Sequence, residues 1–355
     1  MKLDVRVKKN LRDFLLDVEF CVHDEIFALL GASGSGKSMT LKCIAGIETP
    51  DEGRIVLDGR ILFDSEHSIN LSPQLRRVGY LFQNYALFPN MTVAENILFA
   101  AVGSRDEKLS RLRENLSRFK LDGLENVFPD KLSGGQAQRV AFARVLASHA
   151  QFLLLDEPLS ALDNFLRRRL ELELAEVFKS YGAAILVSHD GGEVFRLADR
   201  IAVIDAGKVE AVGSAREIFT HPPTLTAAKL TGCRNISAAK KIADDKLFAD
   251  DWGLTLIAKK IPDDLKFVGI RAYSLSTDAG ENFFTFEVAA VIEDVDAFDV
   301  IVRREGKSLV WRINKSRRVV VGDEKQCVMR NAKCAINVGD EINLSLPTDK
   351  IFLFG

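Results

Sequence analysis

The chain has 355 residues and a formal net charge of −2, which gives no electrostatic reason to expect binding to nucleic acid or to an anionic membrane surface. Its five cysteines are scattered and include no C-x-x-C pair, so we expect reduced thiols of a cytosolic protein rather than disulfides or a zinc site. No stretch approaches the roughly 18 apolar residues of a spanning helix and no signal peptide is visible, so a role at a membrane would require a partner that holds the chain there. At about 150 residues per domain, the length predicts two or three domains.

Hydrophobic periodicity and cap residues predict alternating strands and helices up to about residue 220. We expect strands at 3–7, 14–20, 26–30, 78–82, 152–155, 183–187 and 201–204, and helices at 38–47, 136–147, 164–180 and 214–220. Capping boxes at Thr92 and Ser104 open two more helices, and Asp58-Gly59 predicts a hairpin turn. Alternating strands and helices predict an α/β fold with a mostly parallel sheet and helices on its faces.

The stretch from Gly31 to Ser38 has the pattern G-x-x-x-x-G-K-S, which is typical of a phosphate-binding loop. It follows the apolar run 26–30 and precedes a helix whose free N–H groups and positive dipole end would face phosphates. The glycines allow close backbone approach, Lys37 can reach the β and γ phosphates, and the Ser38 hydroxyl can bind Mg²⁺. The alternative is an ordinary glycine-rich turn, but the flanking strand and helix favour the phosphate loop. The residues predicted to line a nucleotide here are Gly31, Ala32, Ser33, Gly34, Ser35, Gly36, Lys37, Ser38 and Met39.

Four further motifs follow along the chain. Ser133-Gly134-Gly135-Gln136 suits a second anion nest at a helix start, although a solvated N-cap is the usual role of such a segment. Asp156 ends an apolar strand and is placed to hold Mg²⁺ through water, while Glu157 is placed to orient or deprotonate an attacking water. An acidic strand end without function is a common alternative. Ser160-Ala-Leu-Asp163 by itself indicates only an N-cap, and a lone strand-end histidine such as His189 is more often structural than functional.

The motifs occur in a characteristic order: phosphate loop, Gln83, L-S-G-G-Q, L-L-L-D-E-P, S-A-L-D and S-H-D. In this order they resemble the ATP-binding cassette (ABC) ATPases. The resemblance implies a phosphate-loop NTPase cassette with a helical subdomain at about 84–150. It also implies that ATP and Mg²⁺ lie between two copies packed head to tail, with the phosphate loop of one chain facing Ser133–Gln136 of the other.

The same resemblance implies roles for individual side chains. Gln83 would contact the lytic water and relay closure towards a permease, and Glu157 would be the general base. Asp163 would cross the dimer interface, and His189 would contact the γ-phosphate. The implied metal ligands are Ser38, Gln83 and Asp156.

Phe14 is the candidate for stacking on the adenine ring. ABC ATPases place an aromatic side chain there from a strand upstream of the phosphate loop. Because Phe14 alternates with Leu16, Val18 and Phe20, it is equally well interpreted as a core residue.

The character of the chain changes after Gly232, so we expect a cassette at 1–232 and a second domain at 233–355. Short alternating apolar runs separated by turn residues predict a small antiparallel β-barrel there. Val268-Gly-Ile-Arg271-Ala resembles a strand of the accessory (TOBE/Mop-like) barrel of importer ATPases. This domain is interpreted either as a brace for the dimer or as a sensor of a transported oxyanion, for which Arg271 and Lys333 are the candidate side-chain donors.

The cassette is most similar to the molybdate and sulfate importers, on the segments Asn70–Tyr80, Leu87–Val93 and Thr231–Ile236. This implies the ATPase subunit of an importer, a homodimer on the cytoplasmic face of the membrane beneath permease subunits, served indirectly by an extracytoplasmic solute-binding protein. Molybdate leads as cargo, with iron, polyamine and sugar importers as alternatives. A soluble ABC ATPase would carry two cassettes or a coiled-coil insertion, and a phosphate-loop kinase would lack L-S-G-G-Q.

Overall fold

The computed structural model describes residues 1–160, 164–315, 320–321 and 335–355 and divides the chain into two compact units, Met1–Thr220 and His221–Gly355. The division falls before the boundary expected after Gly232. The reason is a short helix, Leu225–Leu230, whose Ala228 packs against Cys233 and Phe354 in the second unit. In the described part of the chain, no helix combines the length and apolar character needed to cross a membrane.

The first unit contains eleven strands and eight helices among its described residues. The strands are β1 (Leu3–Asn10), β2 (Leu15–Val22), β3 (Ile26–Leu30), β4 (Glu52–Leu57), β5 (Arg60–Asp64), β6 (Ile69–Asn70), β7 (Val78–Leu81), β8 (Phe152–Asp156), β9 (Ala184–Ser188), β10 (Arg200–Asp205) and β11 (Lys208–Ser214). The helices are α1 (Lys37–Ala45), α2 (Pro73–Arg76), α3 (Val93–Ala100), α4 (Arg105–Arg118), α5 (Gly134–Ala147), α6 (Asn164–Tyr181), α7 (Gly191–Leu197) and α8 (Ala215–Thr220).

The eleven strands form one mixed sheet in the order β6-β5-β4-β1-β2-β11-β10-β3-β9-β8-β7. The α/β prediction is confirmed, and the run from β10 to β7 is parallel throughout. The pairs among β1, β2, β4, β5 and β6 are antiparallel, as is the pair of β10 and β11, while β2 and β11 pair in parallel at Asp17 and Lys208. Short connections such as the Asp58-Gly59 turn between β4 and β5 make consecutive strands antiparallel, because a parallel pair needs a crossover of about a dozen residues.

The parallel part of the sheet determines where polar groups gather. β3, β8 and β9 are buried along their whole length, as their unbroken apolar sequences predict. Their carboxyl ends lie at the same edge, so the loop after β3, Glu157 after β8 and His189 after β9 come together there. β7 pairs in parallel with β8 and brings the segment leading to Gln83 to that edge.

Helices α3, α4 and α5 form the expected helical subdomain. Both predicted capping boxes are present, with reciprocal hydrogen bonds between Thr92 and Glu95 and between Ser104 and Glu107. The helices share an apolar core whose members include Ile97, Leu112, Leu116, Val140 and Phe142. Leu112 and Leu116 of α4 are four residues apart, so they lie on one face of the helix and pack inward.

A fully buried arginine anchors the far end of α1, the helix that follows the phosphate loop. Arg76 Nη1 donates to the carbonyl oxygens of Cys43 (2.7 Å) and Ile44 (2.9 Å). A cation at a helix C-terminus is favoured by the helix dipole, and it satisfies carbonyls that lack an intrahelical partner. Arg76 therefore fixes α1 relative to the start of β7.

The second unit is an antiparallel β domain preceded by α9 (Leu225–Leu230), in agreement with the predicted small strands. Its strands are β12 (Asn235–Ala243), β13 (Lys246–Ala249), β14 (Leu254–Ile257), β15 (Phe267–Ile270), β16 (Phe283–Glu293), β17 (Ala297–Arg304), β18 (Lys307–Asn314), β19 (Val320–Val321), β20 (Ala335–Ile336), β21 (Glu341–Ser345) and β22 (Ile351–Phe354). Two sheets, β14-β13-β12-β15-β22 and β18-β17-β16-β21, enclose one core to which Leu247, Val268, Val288, Val300 and Leu344 belong.

Arg271 has a structural position that the sequence did not indicate. Its side chain is 5% exposed, and its two Nη atoms donate to the Thr231 carbonyl (2.7 Å) and hydroxyl (3.0 Å). Its guanidinium also lies over the Phe352 ring, 5.7 Å from the centroid. Arg271 thus links the end of α9 to β15 and β22, which contradicts its expected role as an anion donor. Lys333, the other candidate, lies outside the described residues.

Candidate functional site

The loop between β3 and α1 has the backbone conformation that its glycines predict. Gly34 and Gly36 have φ angles of 81° and 104°, which favour glycine. A Cβ at Gly31 would lie 2.3 Å from the Ile204 carbonyl oxygen, so only glycine fits there. The loop therefore wraps tightly around the N-terminus of α1, where free N–H groups and the helix dipole favour an anion.

Lys37 points back into this loop. Its side chain is buried, and Nζ donates to the carbonyl oxygens of Gly31 (2.9 Å) and Ala32 (2.8 Å). Burial lowers the pKa of Lys37, while the nearby charges of Glu157 and Asp156 raise it. A phosphate group in the loop would compete with these carbonyls for the ammonium group.

Asp156 is a buried carboxylate with both oxygen atoms hydrogen-bonded. Ser38 Oγ donates to Oδ1 over 2.7 Å, and Tyr80 Oη donates to Oδ2 over 2.9 Å. A carboxylate and a hydroxyl are hard oxygen ligands of the kind that Mg²⁺ shares with substrate phosphates, so this pair fits the ion. Groups of three or more histidine, cysteine or acidic residues suited to a metal do not occur in the described ranges. Magnesium held by one carboxylate, one hydroxyl and phosphate oxygens requires none.

The contribution of Tyr80 could not be predicted from the sequence. The residue lies in the predicted strand 78–82, but nothing local shows that this strand pairs with β8, which begins at Phe152. Burial beside the Asp156 carboxylate raises the pKa of Tyr80, so its hydroxyl keeps the proton that it donates. The only signal in the sequence is a phenol within an apolar strand that immediately precedes Gln83.

We expect Tyr80→Phe to raise the Mg²⁺ concentration needed for half-maximal ATP hydrolysis by about tenfold, since side chains that hydrogen-bond to metal ligands typically contribute 10–100-fold in affinity. The change removes only the hydroxyl that orients Asp156. Tyr273→Phe is the matched control, because Tyr273 is 56% exposed and belongs to the second unit. An unchanged Mg²⁺ requirement in Tyr80→Phe would contradict the orienting role.

The three candidate catalytic side chains meet at the carboxylate of Glu157. Gln83 Nε2 donates to Oε2 over 2.9 Å, and His189 Nδ1 lies 3.2 Å from Oε1. Glu157 also has a positive φ of 47°, and such non-glycine conformations cost about 1–3 kcal/mol and cluster at functional sites. Its backbone N–H is fixed by the Val187 carbonyl of β9 at 3.0 Å. The fold thus holds the Glu157 carboxylate, which extends from a strained backbone position, between an amide and an imidazole.

The Ser133–Gln136 segment is an exposed helix start. Ser133 Oγ accepts from the Gln136 backbone N–H (3.3 Å), and Gln136 Oε1 accepts from that of Ser133 (2.9 Å). Ser133 and Gly134 are exposed, and a Cβ at Gly134 would meet nothing within 4 Å. In the described part of the chain, no hydrogen bond joins this segment to the phosphate loop. Within one chain the segment therefore has the solvated N-cap geometry.

Phe14 and Met39 lie on the margin of the phosphate loop. Phe14 precedes β2, is partly buried, and approaches within 3.5 Å of where a Cβ of Gly36 would stand. Both interpretations of its ring stay predictions, because the ring borders the loop and also packs against the sheet core. Met39 is partly buried against the same core. Asp163 lies outside the described residues.

Comparison with known proteins identifies the family. A family model described as ABC transporter matches residues 15–160. The sulfate/thiosulfate import ATP-binding protein of Xylella fastidiosa is 41% identical over 240 residues, which cover 64% of this chain and 67% of that protein. The chain belongs to the ABC transporter family.

Two further relatives and a solved structure are also similar to this chain. The spermidine/putrescine import ATP-binding protein of Acidothermus cellulolyticus is 46% identical over 219 residues, covering 61% of this chain and 56% of that protein. The putrescine transport ATP-binding protein of Escherichia coli is 42% identical over 248 residues, covering 67% of this chain and 63% of that protein. The dimeric ATP-binding cassette MJ0796 bound to ADP and Pi superposes with a TM-score of 0.52 at 28% identity, covering 61% of this chain and 99% of that one.

The similarities to the polyamine relatives cover only part of each protein. The matched part of this chain spans 56% and 63% of the length of the Acidothermus and Escherichia relatives. The relatives described here are named for polyamine and sulfate import, so the expected molybdate cargo finds no support among them.

Proposed function

We propose that this ABC cassette binds ATP with Mg²⁺ and hydrolyses it as the nucleotide-driven subunit of an importer. The observation that carries the proposal is the edge where Ser38 donates to Asp156 and where Glu157 lies between Gln83 and His189. A phosphate loop, a carboxylate for the metal and a second carboxylate held in place are the groups that phosphoryl transfer to water requires.

Each side chain has one task in this mechanism. The N–H groups of the loop and the Lys37 ammonium bind the phosphates, and the dipole of α1 stabilises their charge. Ser38 and Asp156 would hold Mg²⁺, which neutralises charge developing on the phosphate oxygens when it is bound. Glu157 accepts the proton of the attacking water, and Gln83 and His189 orient its two oxygens.

The direct test is Mg²⁺-dependent phosphate release from ATP by the purified full chain. We expect turnover by the wild type and none above background for Lys37→Ala, with both proteins folded by circular dichroism. Turnover that survives in Lys37→Ala would show that hydrolysis occurs elsewhere or in a contaminant, and would refute the proposal.

The partners follow from the exposed position of Ser133–Gln136. A second copy would place this segment on the nucleotide held by the first, which agrees with the dimeric state of the related cassette MJ0796. The complete system would include membrane permease subunits on whose cytoplasmic face the dimer works, with an extracytoplasmic solute-binding protein acting indirectly. The names of the import ATP-binding relatives support these partners.

For the cargo, a polyamine is favoured and sulfate is the second candidate. Two of the three relatives described above are named for polyamines and one for sulfate or thiosulfate. Uptake of labelled putrescine, spermidine, sulfate and molybdate by cells lacking the gene, complemented with the wild type or with Glu157→Gln, distinguishes them. The cargo is the solute whose uptake returns only with the wild type.

The second unit is proposed to brace the dimer. Arg271, one of the two side chains considered for an oxyanion sensor, is committed to Thr231 and Phe352. We expect calorimetric titration of molybdate, tungstate and sulfate into the full chain to give no binding heat at millimolar concentration. Saturable heat that persists in the nucleotide-site variant Lys37→Ala would instead support a sensor site in the second unit.

A further inference from the structure

A buried carboxylate on α7 lies behind the His189 loop and has no role in the mechanism above. The Glu193 side chain is 4% exposed. Its Oε2 accepts from Ser188 Oγ over 2.9 Å, while its Oε1 is buried without a hydrogen-bond partner among the described residues. An ionised carboxylate in such a place is costly, because one oxygen loses its water and gains nothing in return.

Three hydrogen bonds connect Glu193 to both neighbours of His189. Ser188 Oγ donates to Glu193 and accepts from the Asp190 N–H (3.0 Å), and the Glu193 N–H donates to Asp190 Oδ1 (3.1 Å). Because Ser188 is 2% exposed, water cannot take the place of Glu193 as the acceptor of its hydroxyl without a local rearrangement. The Glu193 carboxyl group is thereby linked to Ser188 directly and to the Asp190 backbone through the Ser188 hydroxyl.

His189 is the residue that this arrangement positions. Its Nδ1 lies 3.2 Å from Glu157 Oε1 even though the imidazole is largely exposed. An exposed side chain keeps such a contact only if its backbone is held still, because ordering a free side chain costs conformational entropy. The Ser188–Glu193–Asp190 hydrogen bonds supply that restraint.

The charged surroundings of Glu193 are mixed. The groups that face it are Asp190 and Arg196 at the two ends of α7, Glu171 and Arg167 on α6, and Glu157 and His189 at the edge of the sheet. The pKa of Glu193 is raised to about 7, chiefly by burial; the charges of Asp190 and Glu171 contribute to the rise, and the Ser188 hydrogen bond and the Arg167 charge oppose it. Arg196 is engaged with Glu171 (2.6 Å) and Arg167 with Asp190 (3.4 Å).

We propose that Glu193 is a positioning residue that holds His189 against Glu157, and that it does so as the neutral carboxylic acid. The neutral acid accepts from Ser188 and places no charge beside Asp190 and Glu171. The ionised form adds a buried negative charge next to those of Asp190 and Glu171. Moving the Ser188–Asp190 segment away relieves the repulsion between these charges. His189 moves with that segment and releases Glu157.

The inference rests on the proposed ATP hydrolysis and is tested through the pH dependence of one ratio. Glu193→Gln stays neutral at every pH and keeps an oxygen that accepts from Ser188. The ratio of its kcat to the wild-type kcat cancels the effects of Glu157 and His189, which both proteins share. We expect this ratio to be constant below about pH 6 and to rise several-fold with a midpoint near pH 7, with little change in KM for ATP.

Glu210→Gln is the matched control, because Glu210 is an exposed carboxylate on β11. Its ratio to the wild type should be independent of pH. A pH-independent ratio for Glu193→Gln would overturn the proposal, since a merely structural role lowers activity equally at all pH values.

A second measurement does not depend on hydrolysis. The NMR shift of the His189 imidazole, assigned by comparison with His189→Gln, should show an inflection near pH 7 in the wild type that is missing from the same pH series in Glu193→Gln. Inactive wild-type protein with this inflection would refute the proposed function and keep the linkage. Active protein with identical His189 titrations in both forms would keep the function and overturn the linkage.

Discussion

Glu157→Gln is expected to lower ATP hydrolysis by about 100-fold or more, which corresponds to about 2.7 kcal/mol of activation free energy. The amide has the shape of the carboxylate and can still contact Gln83 and His189, but it cannot accept a proton from water. Binding of ATP should survive, because Lys37 and the loop N–H groups are unchanged. Phosphate release measures turnover, and a fluorescent ATP analogue measures binding.

The same variant should accumulate as an ATP-bound dimer, because the step that reopens the interface is blocked. Size-exclusion chromatography with ATP and Mg²⁺ would detect this dimer. Glu210→Gln, a change of the same kind at an exposed position, should hydrolyse ATP like the wild type and stay in the same oligomeric state. Near-normal turnover of Glu157→Gln would show that Glu157 is not the base.

Ser133→Arg is expected to abolish hydrolysis while leaving nucleotide binding to a dilute monomer intact. Ser133 lies at an exposed helix start that is not hydrogen-bonded to the phosphate loop of its own chain, so a bulky cation there obstructs only a second copy. Binding of labelled nucleotide at low protein concentration separates the two effects. Loss of binding by the monomer would place Ser133 in the site of its own chain.

Mixing Ser133→Arg chains with Lys37→Ala chains tests the composite site further. A mixed dimer contains one site with an intact phosphate loop and an intact Ser133 segment, and one site in which both are altered. We therefore expect hydrolysis to return on mixing two proteins that are inactive alone. A mixture that forms dimers and stays inactive would contradict independent composite sites or require both sites to act together.

Local features of this chain could be predicted from its sequence because neighbouring residues determine them. The phosphate loop needs glycine at φ angles of 81° and 104°, and the sequence supplies Gly34 and Gly36 there. The Thr92 and Ser104 capping boxes and the Asp58-Gly59 turn depend on residues within three positions of each other. The alternation of strands and helices predicted the α/β class.

Contacts between residues far apart in the chain were decided only by the tertiary structure. Tyr80 reaches Asp156 because β7 pairs with β8, and no pattern in the sequence predicts that pairing. Gln83, Glu157 and His189 were predicted as separate motifs, but only the fold shows that the first and third share the oxygens of the second.

The burial of individual charged side chains also could not be predicted from the sequence. Arg271 was a candidate anion donor, but the packing of α9 against β15 and β22 buries it and supplies its acceptors. No sequence pattern marked Glu193, but the sheet edge and α6 remove its water. A charged side chain changes its role when it is desolvated, because its partners and its protonation state then depend on groups that the chain brings in from elsewhere. The sequence by itself therefore determined the motifs and the fold class, whereas the tertiary structure decided which charged groups are free to act.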